Sequence, residues 1–319
     1  MNVSVLGCGR WGSFIAWYLD KIGHNVIMWG REGSEHFCDI SKNRKNQILT
    51  FRDSIDITSD LKKAISSSDV IIISISSQSL RDFTKELLTY DLKGKTIVLC
   101  MKGIEKDTGK RLTQVIRDYI SEDTRLAVWV GPGHVQDFHN NIPNCMVIDS
   151  DDEDTKKFLV KEFSSDLIRF YLGTDLIGSE IGAASKNVIG IAAGMLDGLG
   201  YTSLKGALMS RGTREIARLI KAMGGNEMSA YGLAHLGDYQ ATLFSEYSNN
   251  RKFGEMFING QKFEKLAEGV FTTKALIKLA DEYNVDLPIC NAVDLIVNKG
   301  KDPKKVLSDL FLRSVKKEF

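Results

Sequence analysis

Three glycines near the start of the chain have the spacing that phosphate binding requires. Gly7-Cys8-Gly9-Arg10-Trp11-Gly12 reads G-x-G-x-x-G and directly follows the apolar run at residues 3–6. In such a turn one glycine permits the tight bend, one lets backbone approach a pyrophosphate, and one lets helix pack on strand. The pyrophosphate then meets free N–H groups at the positive end of the helix dipole. The fingerprint alone is weak, but a strand before it, a helix after it and a second strand at residues 26–29 give it context. That makes a nicotinamide dinucleotide the leading ligand, ahead of FAD or a SAM-like molecule. Gly7, Gly9, Arg10, Trp11 and Gly12 are the cofactor-binding candidates. Beyond the second strand the chain offers Trp29-Gly30-Arg31-Glu32. Arg31 can grip a 2′-phosphate, which puts NADP ahead of NAD; Glu32 can instead face a ribose hydroxyl, so NAD stays open.

Hydride transfer to a ketone leaves an alkoxide that must take a proton, so a dinucleotide enzyme of this kind needs a general acid/base. Lys186 sits mid-helix among Ala183, Ala184, Val188, Ile189, Ile191 and Ala192. An ammonium on such a face is partly desolvated and gives up its proton more readily; the alternative is a lysine that snorkels to solvent. Lys102 and Gly131-Pro132-Gly133 each follow a strand, at the carboxyl edge where doubly wound sheets place ligands.

The elements that must position these groups change character along the chain. Strands are expected at residues 3–6, 26–29, 70–73, 96–100, 126–130, 145–148 and 167–172. Helices are expected after Gly12, after a cap at Ser59 or Asp60, and at 79–88 and 108–120. Val70-Ile71-Ile72-Ile73 is uninterrupted and apolar, as in a parallel strand covered on both faces. The alternation predicts an α/β, doubly wound parallel Rossmann domain over residues 1–175. From about Ile177 helical periodicity takes over (214–223, 273–283, 291–297, 306–311), predicting an all-α domain over 176–319.

The 319 residues carry a net charge of +1, 43% hydrophobic and 26% charged residues. This balance suits a globular protein and gives no basic excess for nucleic acid. Five scattered cysteines, never C-x-x-C, argue against a disulfide framework or zinc knuckle and fit a reducing, cytoplasmic setting. The histidines show no H-x-x-x-H spacing, so no metal is expected. The stretch 177–199 is apolar but carries Glu180, Lys186, Asn187 and Asp197, which predicts a buried helix and no membrane span.

Several motifs in order resemble the bacterial NAD(P)-dependent glycerol-3-phosphate dehydrogenases. They are the glycine turn, Met28-Trp29-Gly30-Arg31, Met101-Lys102-Gly103-Ile104-Glu105, Gly131-Pro132-Gly133, and the run Ala184-Ser185-Lys186-Asn187-Val188-Ile189-Gly190. Gly237-Asp238, Asn250-Arg251-Lys252-Phe253-Gly254, Ala267-Glu268-Gly269 and Val285-Asp286-Leu287-Pro288-Ile289 complete the series. The resemblance implies interconversion of glycerol 3-phosphate and dihydroxyacetone phosphate, a place in phospholipid and carbohydrate metabolism, and a homodimer. It implies Lys186 as acid/base, Lys102 contacting substrate and cofactor, and Gly131 and Gly133 against the substrate. Asp238 would bind a substrate hydroxyl or orient Lys186, though it could also cap a helix. Ser248, Asn249 and Asn250 would cradle the phosphate, while Val135 and Glu268 would reach the cofactor.

Two positions depart from the family pattern. Asn249 stands where the family has arginine, and Gly133 where it has threonine or serine. Losing the guanidinium removes a phosphate contact of roughly 1.5–3 kcal/mol, for which Arg251 and Lys252 are the candidate replacements. On these departures alone, a relative acting on another phosphorylated or nucleotide-linked polyol stays open, as does a non-catalytic nucleotide sensor.

Overall fold

The computed structural model describes residues 1–314, which divide into two compact units. The first comprises residues 1–102 and 110–180; the second comprises 103–109 and, among the described residues, 181–314.

The first unit holds one eight-stranded sheet. Its strands are β1 (Asn2–Leu6), β2 (Asn25–Trp29), β3 (Asp56–Thr58), β4 (Val70–Ile73), β5 (Thr96–Leu99), β6 (Arg125–Val130), β7 (Asn144–Asp149) and β8 (Ile168–Leu172). The order is β3-β2-β1-β4-β5-β6-β7-β8. Val70–Ile73 lies at the centre, every residue buried, because both faces of the sheet are covered by helices. The chain order reverses beside β1, so the loops after β1 and β4 flank a topological switch point.

The doubly wound, parallel-rich sheet expected from the sequence is present and carries one antiparallel pair. β7 runs antiparallel to β6, pairing Val128 with Asp149 and Val130 with Val147, and β8 then pairs parallel with β7. The segment between β6 and β7 holds only the five-residue helix Val135–His139, so it lacks the full crossover helix on which a parallel βαβ connection usually depends. The helix expected at 108–120 is shorter, Leu112–Arg117, because Gly109 adopts a left-handed φ of +78°. The edge strand β3 is three residues long, too short to show a pattern.

Aromatic packing closes this unit's core. Trp129, fully buried, meets Phe170 edge-on at 4.8 Å and Tyr18 at 6.1 Å. The Tyr18 hydroxyl donates to the Phe163 carbonyl, and burial pushes its pKa up to about 12.

The second unit is helical. Its residues include most of the long helix Leu176–Gly198, followed by helices Lys205–Ala222, Asn249–Ile258, Glu268–Glu282, Pro288–Val297 and Pro303–Phe311. Ile181, Ala183, Ala184, Val188, Ile189, Ile191 and Ala193 are all buried, so the long helix is enclosed on every side. Two glycines bring it against Asn249–Ile258 at backbone distance. A Cβ on Gly194 would lie 1.9 Å from the Arg251 carbonyl oxygen, and one on Gly254 would lie 2.1 Å from that of Ile191. No helix among the described residues is long and apolar enough to cross a membrane.

Candidate active site

Within the first unit, β1 ends in the glycine turn and the helix Arg10–Lys21 begins at once. Gly7 has φ +120°, and a Cβ there would meet the Ser74 carbonyl oxygen at 2.1 Å. A Cβ on Gly12 would lie 1.9 Å from the Gly7 carbonyl oxygen. Both glycines are therefore demanded by the fold itself. Gly9 is different: a Cβ there would meet nothing within 4 Å. It is also the N-cap of Arg10–Lys21, and no side chain caps that helix. The turn thus presents uncapped helix N–H groups behind a residue that leaves open space, which fits the pyrophosphate of a dinucleotide.

Other cofactor candidates surround the same sheet edge. Arg10 donates to Gln136 Oε1 at 2.6 Å, and Trp11 packs on Phe14 with ring centroids 5.0 Å apart. Arg31 follows β2, is exposed, and its guanidinium makes no ion pair among the described residues. Lys102 donates from Nζ to the Gly131 carbonyl oxygen at 2.6 Å, and the ammonium lies 5.8 Å from the Trp11 ring centroid. Val135 opens its short helix and is buried. Gly133 has a physical reason for lacking a side chain: its Cβ would strike the Phe138 ring at 2.4 Å.

The second unit holds the acid/base candidate. Lys186 is 7% exposed and Asp238 1%, and Nζ lies 2.6 Å from Asp238 Oδ2. Nζ also donates to Thr242 Oγ1 at 2.8 Å, while that hydroxyl donates to the Asp238 carbonyl oxygen at 2.7 Å. Asp238 closes the turn Leu236–Asp238, and the π-helical turn Gln240–Phe244 follows. The carboxylate caps neither; it turns to the lysine. Thr242 was missed from sequence, although its place four residues after Asp238 is the available signal: in a helical turn i and i+4 share a face.

The loop expected to cradle phosphate is held by local bonds. Ser248 Oγ accepts from Arg251 N at 3.3 Å and so caps Asn249–Ile258. Asn249 Nδ2 donates to the Leu266 carbonyl oxygen at 3.3 Å, and Asn250 Oδ1 accepts from Gly269 N at 3.0 Å. Asn250 thereby ties this helix to the start of Glu268–Glu282, where half-buried Glu268 is the first residue. Arg251, expected as a replacement phosphate contact, has its guanidinium engaged elsewhere. Its Nε lies 2.6 Å from Asp197 Oδ2, which also takes Lys205 Nζ at 2.7 Å. A guanidinium committed to a largely buried carboxylate is costly to release. Lys252 is exposed.

The sequence model of the NAD-dependent glycerol-3-phosphate dehydrogenase N-terminus matches residues 2–156, and that of the C-terminus matches 175–308. The chain belongs to this family. A glycerol-3-phosphate dehydrogenase [NAD(P)+] of Thermoanaerobacter sp. (strain X514) is 34% identical, the match covering 100% of this chain and 99% of that protein. That of Prosthecochloris aestuarii is 35% identical, with 100% of both covered. Among solved structures, glycerol-3-phosphate dehydrogenase from Coxiella burnetii superposes with a TM-score of 0.91 at 26% identity, covering 98% of this chain and 99% of that one.

Proposed function

We propose that the chain interconverts sn-glycerol 3-phosphate and dihydroxyacetone phosphate, using NAD or NADP. The observation that carries this reading is the buried Lys186 ammonium, 2.6 Å from Asp238 and 2.8 Å from Thr242, on a chain of this family. A bound dihydronicotinamide supplies the hydride. In ketone reduction, Lys186 donates a proton to the oxygen as the C–O bond becomes an alcohol, and it takes that proton back in the oxidative direction. Asp238 holds the ammonium in place and balances its charge in a dry setting. Lys102, anchored on the Gly131 carbonyl, is suited to stabilising the developing oxyanion. Ser248, Asn249, Asn250 and backbone N–H groups of their loop would take the phosphate, and Glu268 and Val135 would contact the nucleotide.

Arg31 supports NADP ahead of NAD, since an exposed guanidinium beyond β2 suits a 2′-phosphate. We extend the reading to a cytoplasmic homodimer serving phospholipid and carbohydrate metabolism, which sedimentation and cell fractionation would test. The direct assay is loss of reduced-nucleotide absorbance when purified protein meets dihydroxyacetone phosphate with NADPH or NADH. Absence of turnover with both nucleotides would refute the proposed activity.

A further inference from the structure

We propose that His235 and Tyr239 are positioning residues for the acid/base, forming an uncharged relay that fixes the Leu236–Asp238 turn on the lysine helix and aims Asp238 at Lys186. The inference rests on the reading of Lys186 given above. Both side chains are fully buried. His235 Nδ1 lies 2.8 Å from the Gly182 carbonyl oxygen. A carbonyl only accepts, so Nδ1 carries the hydrogen and Nε2 presents a lone pair. Tyr239 supplies the donor that this lone pair requires, its hydroxyl lying 2.7 Å from Nε2. The two rings meet edge-on, with centroids 4.9 Å apart.

These bonds close a circuit. Gly182 stands one helical turn before Lys186 on the same long helix. From its carbonyl the circuit runs through the imidazole to the His235 backbone, whose carbonyl oxygen accepts from Asp238 N at 3.0 Å. It returns through the Asp238 carboxylate to Lys186. There is little room for slack, because a Cβ on Gly182 would lie 3.0 Å from His235 Cβ. Burial drives the imidazole pKa down to about 4, while the Tyr239 phenol is pushed far up and keeps its proton. Of the titratable groups nearby, Lys186 and Asp238 act on His235, while Glu215 and the Cys290 thiol act on Tyr239, whose hydroxyl also bonds the Thr213 side chain. A neutral imidazole is the form compatible with a working ammonium beside it, since a second cation would repel it.

The test uses the full chain carrying His235→Ala, His235→Asn or Tyr239→Phe, assayed for dihydroxyacetone phosphate reduction across pH beside Lys186→Ala. A mis-aimed carboxylate should lower kcat in His235→Ala by about 10–100-fold and leave the nucleotide KM unchanged. It should also move the basic limb of the kcat profile to lower pH, because the ammonium loses its counter-charge. Asn keeps a donor for the Gly182 carbonyl and should recover most of that loss, with Tyr239→Phe intermediate. An unchanged kcat and pH profile with only a lower melting temperature would reduce the pair to packing and overturn the proposal. Should His235→Ala fail to fold, ¹⁵N spectra of the wild-type imidazole decide. A neutral, Nδ1-protonated ring persisting to about pH 5 is expected, and titration near 6.5 overturns it. Inactive Lys186→Ala beside fully active His235→Ala sinks the relay alone, whereas active Lys186→Ala sinks the acid/base reading and the relay with it.

Discussion

At residues 7–12 geometry is made by atoms that are missing, and around residue 186 by atoms that are shared. In the glycine turn, Gly7 and Gly12 approach carbonyl oxygens so closely that a Cβ would fall within about 2 Å of them, while Gly9 faces open space. Such a site is steric, and its glycines lie within a dozen consecutive residues, although the carbonyl that Gly7 must clear belongs to Ser74. The Lys186 cluster draws on the long helix, on Asp238 and on Thr242, with bonds spanning 52 to 56 positions in sequence. It is held by charge and hydrogen bonds, so it tolerates change in different places.

The sharpest break of this contrast is Lys186→Ala. Loss of a general acid/base should cost about 10²–10⁴ in kcat, leaving nucleotide affinity as it was, since the glycine turn is untouched. Stopped-flow reduction with saturating nucleotide, beside fluorescence titration of nucleotide binding, separates the two. A parallel loss of nucleotide affinity would mean that the two regions are not independent.

The next comparison sits inside the glycine turn. Gly12→Ala forces a methyl group into the Gly7 carbonyl, and the fold should lose about 1–3 kcal/mol or more, visible in chemical denaturation. Gly9→Ala meets no protein atom, and its φ of −67° suits alanine. Its stability should be unchanged while its nucleotide Kd rises, because the added methyl occupies the pyrophosphate's approach. Equal stability losses in both variants would show that Gly9, too, is a folding glycine.

What was legible in the sequence follows the same division. The strand β4, the glycine turn and the capped helix Leu61–Ser66 with Asp60 at its N-terminus are short-range patterns, and a single window displays them. Lys186 was legible as a lone cation on an apolar helix. Its partner Thr242, and the relay through His235 and Tyr239, depend on how the turns at 236–244 fold back on the long helix. Nothing within one window states that. Arg251 shows the limit most clearly. By type and place it suits a phosphate, yet Asp197, 54 positions away, takes its guanidinium. Likewise the direction of β7 depends on the lack of a full crossover helix between it and β6, not on its own residues.

A gain of function sharpens the comparison from the substrate side. Asn249→Arg puts a guanidinium in the first turn of Asn249–Ile258, at the position where the family resemblance leads us to expect a phosphate-binding arginine. A charge-assisted contact of roughly 1.5–3 kcal/mol should lower the KM for dihydroxyacetone phosphate about tenfold or more, with kcat little changed. An unaltered KM would show that residue 249 does not face the phosphate.

The smallest effect, and the one that tests charge against burial, lies in the pH dependence of stability. Glu215 is fully buried and accepts from Ile289 N at 2.9 Å and Cys290 N at 3.0 Å, at the start of Pro288–Val297. Burial pushes its pKa up to about 7, although those N–H groups favour the charged form. The folded state then holds a proton that the unfolded chain releases near the ordinary 4.5. Its contribution is complete below 4.5 and fades as pH rises through 7. His235 works in the opposite sense: its folded pKa of about 4 lies below the ordinary 6.5, so its contribution is complete above 6.5 and fades as pH falls toward 4. Glu215→Gln removes only the first of these. The variant's melting temperature should therefore gain on the wild type by on the order of a few degrees between pH 5 and 8, while the acid-side loss stays. Gly9→Ala, with no titrating group changed, should leave both slopes alone. A gap that holds constant with pH would mean that the helix N-terminus keeps Glu215 ionised throughout, the two N–H bonds outweighing its burial.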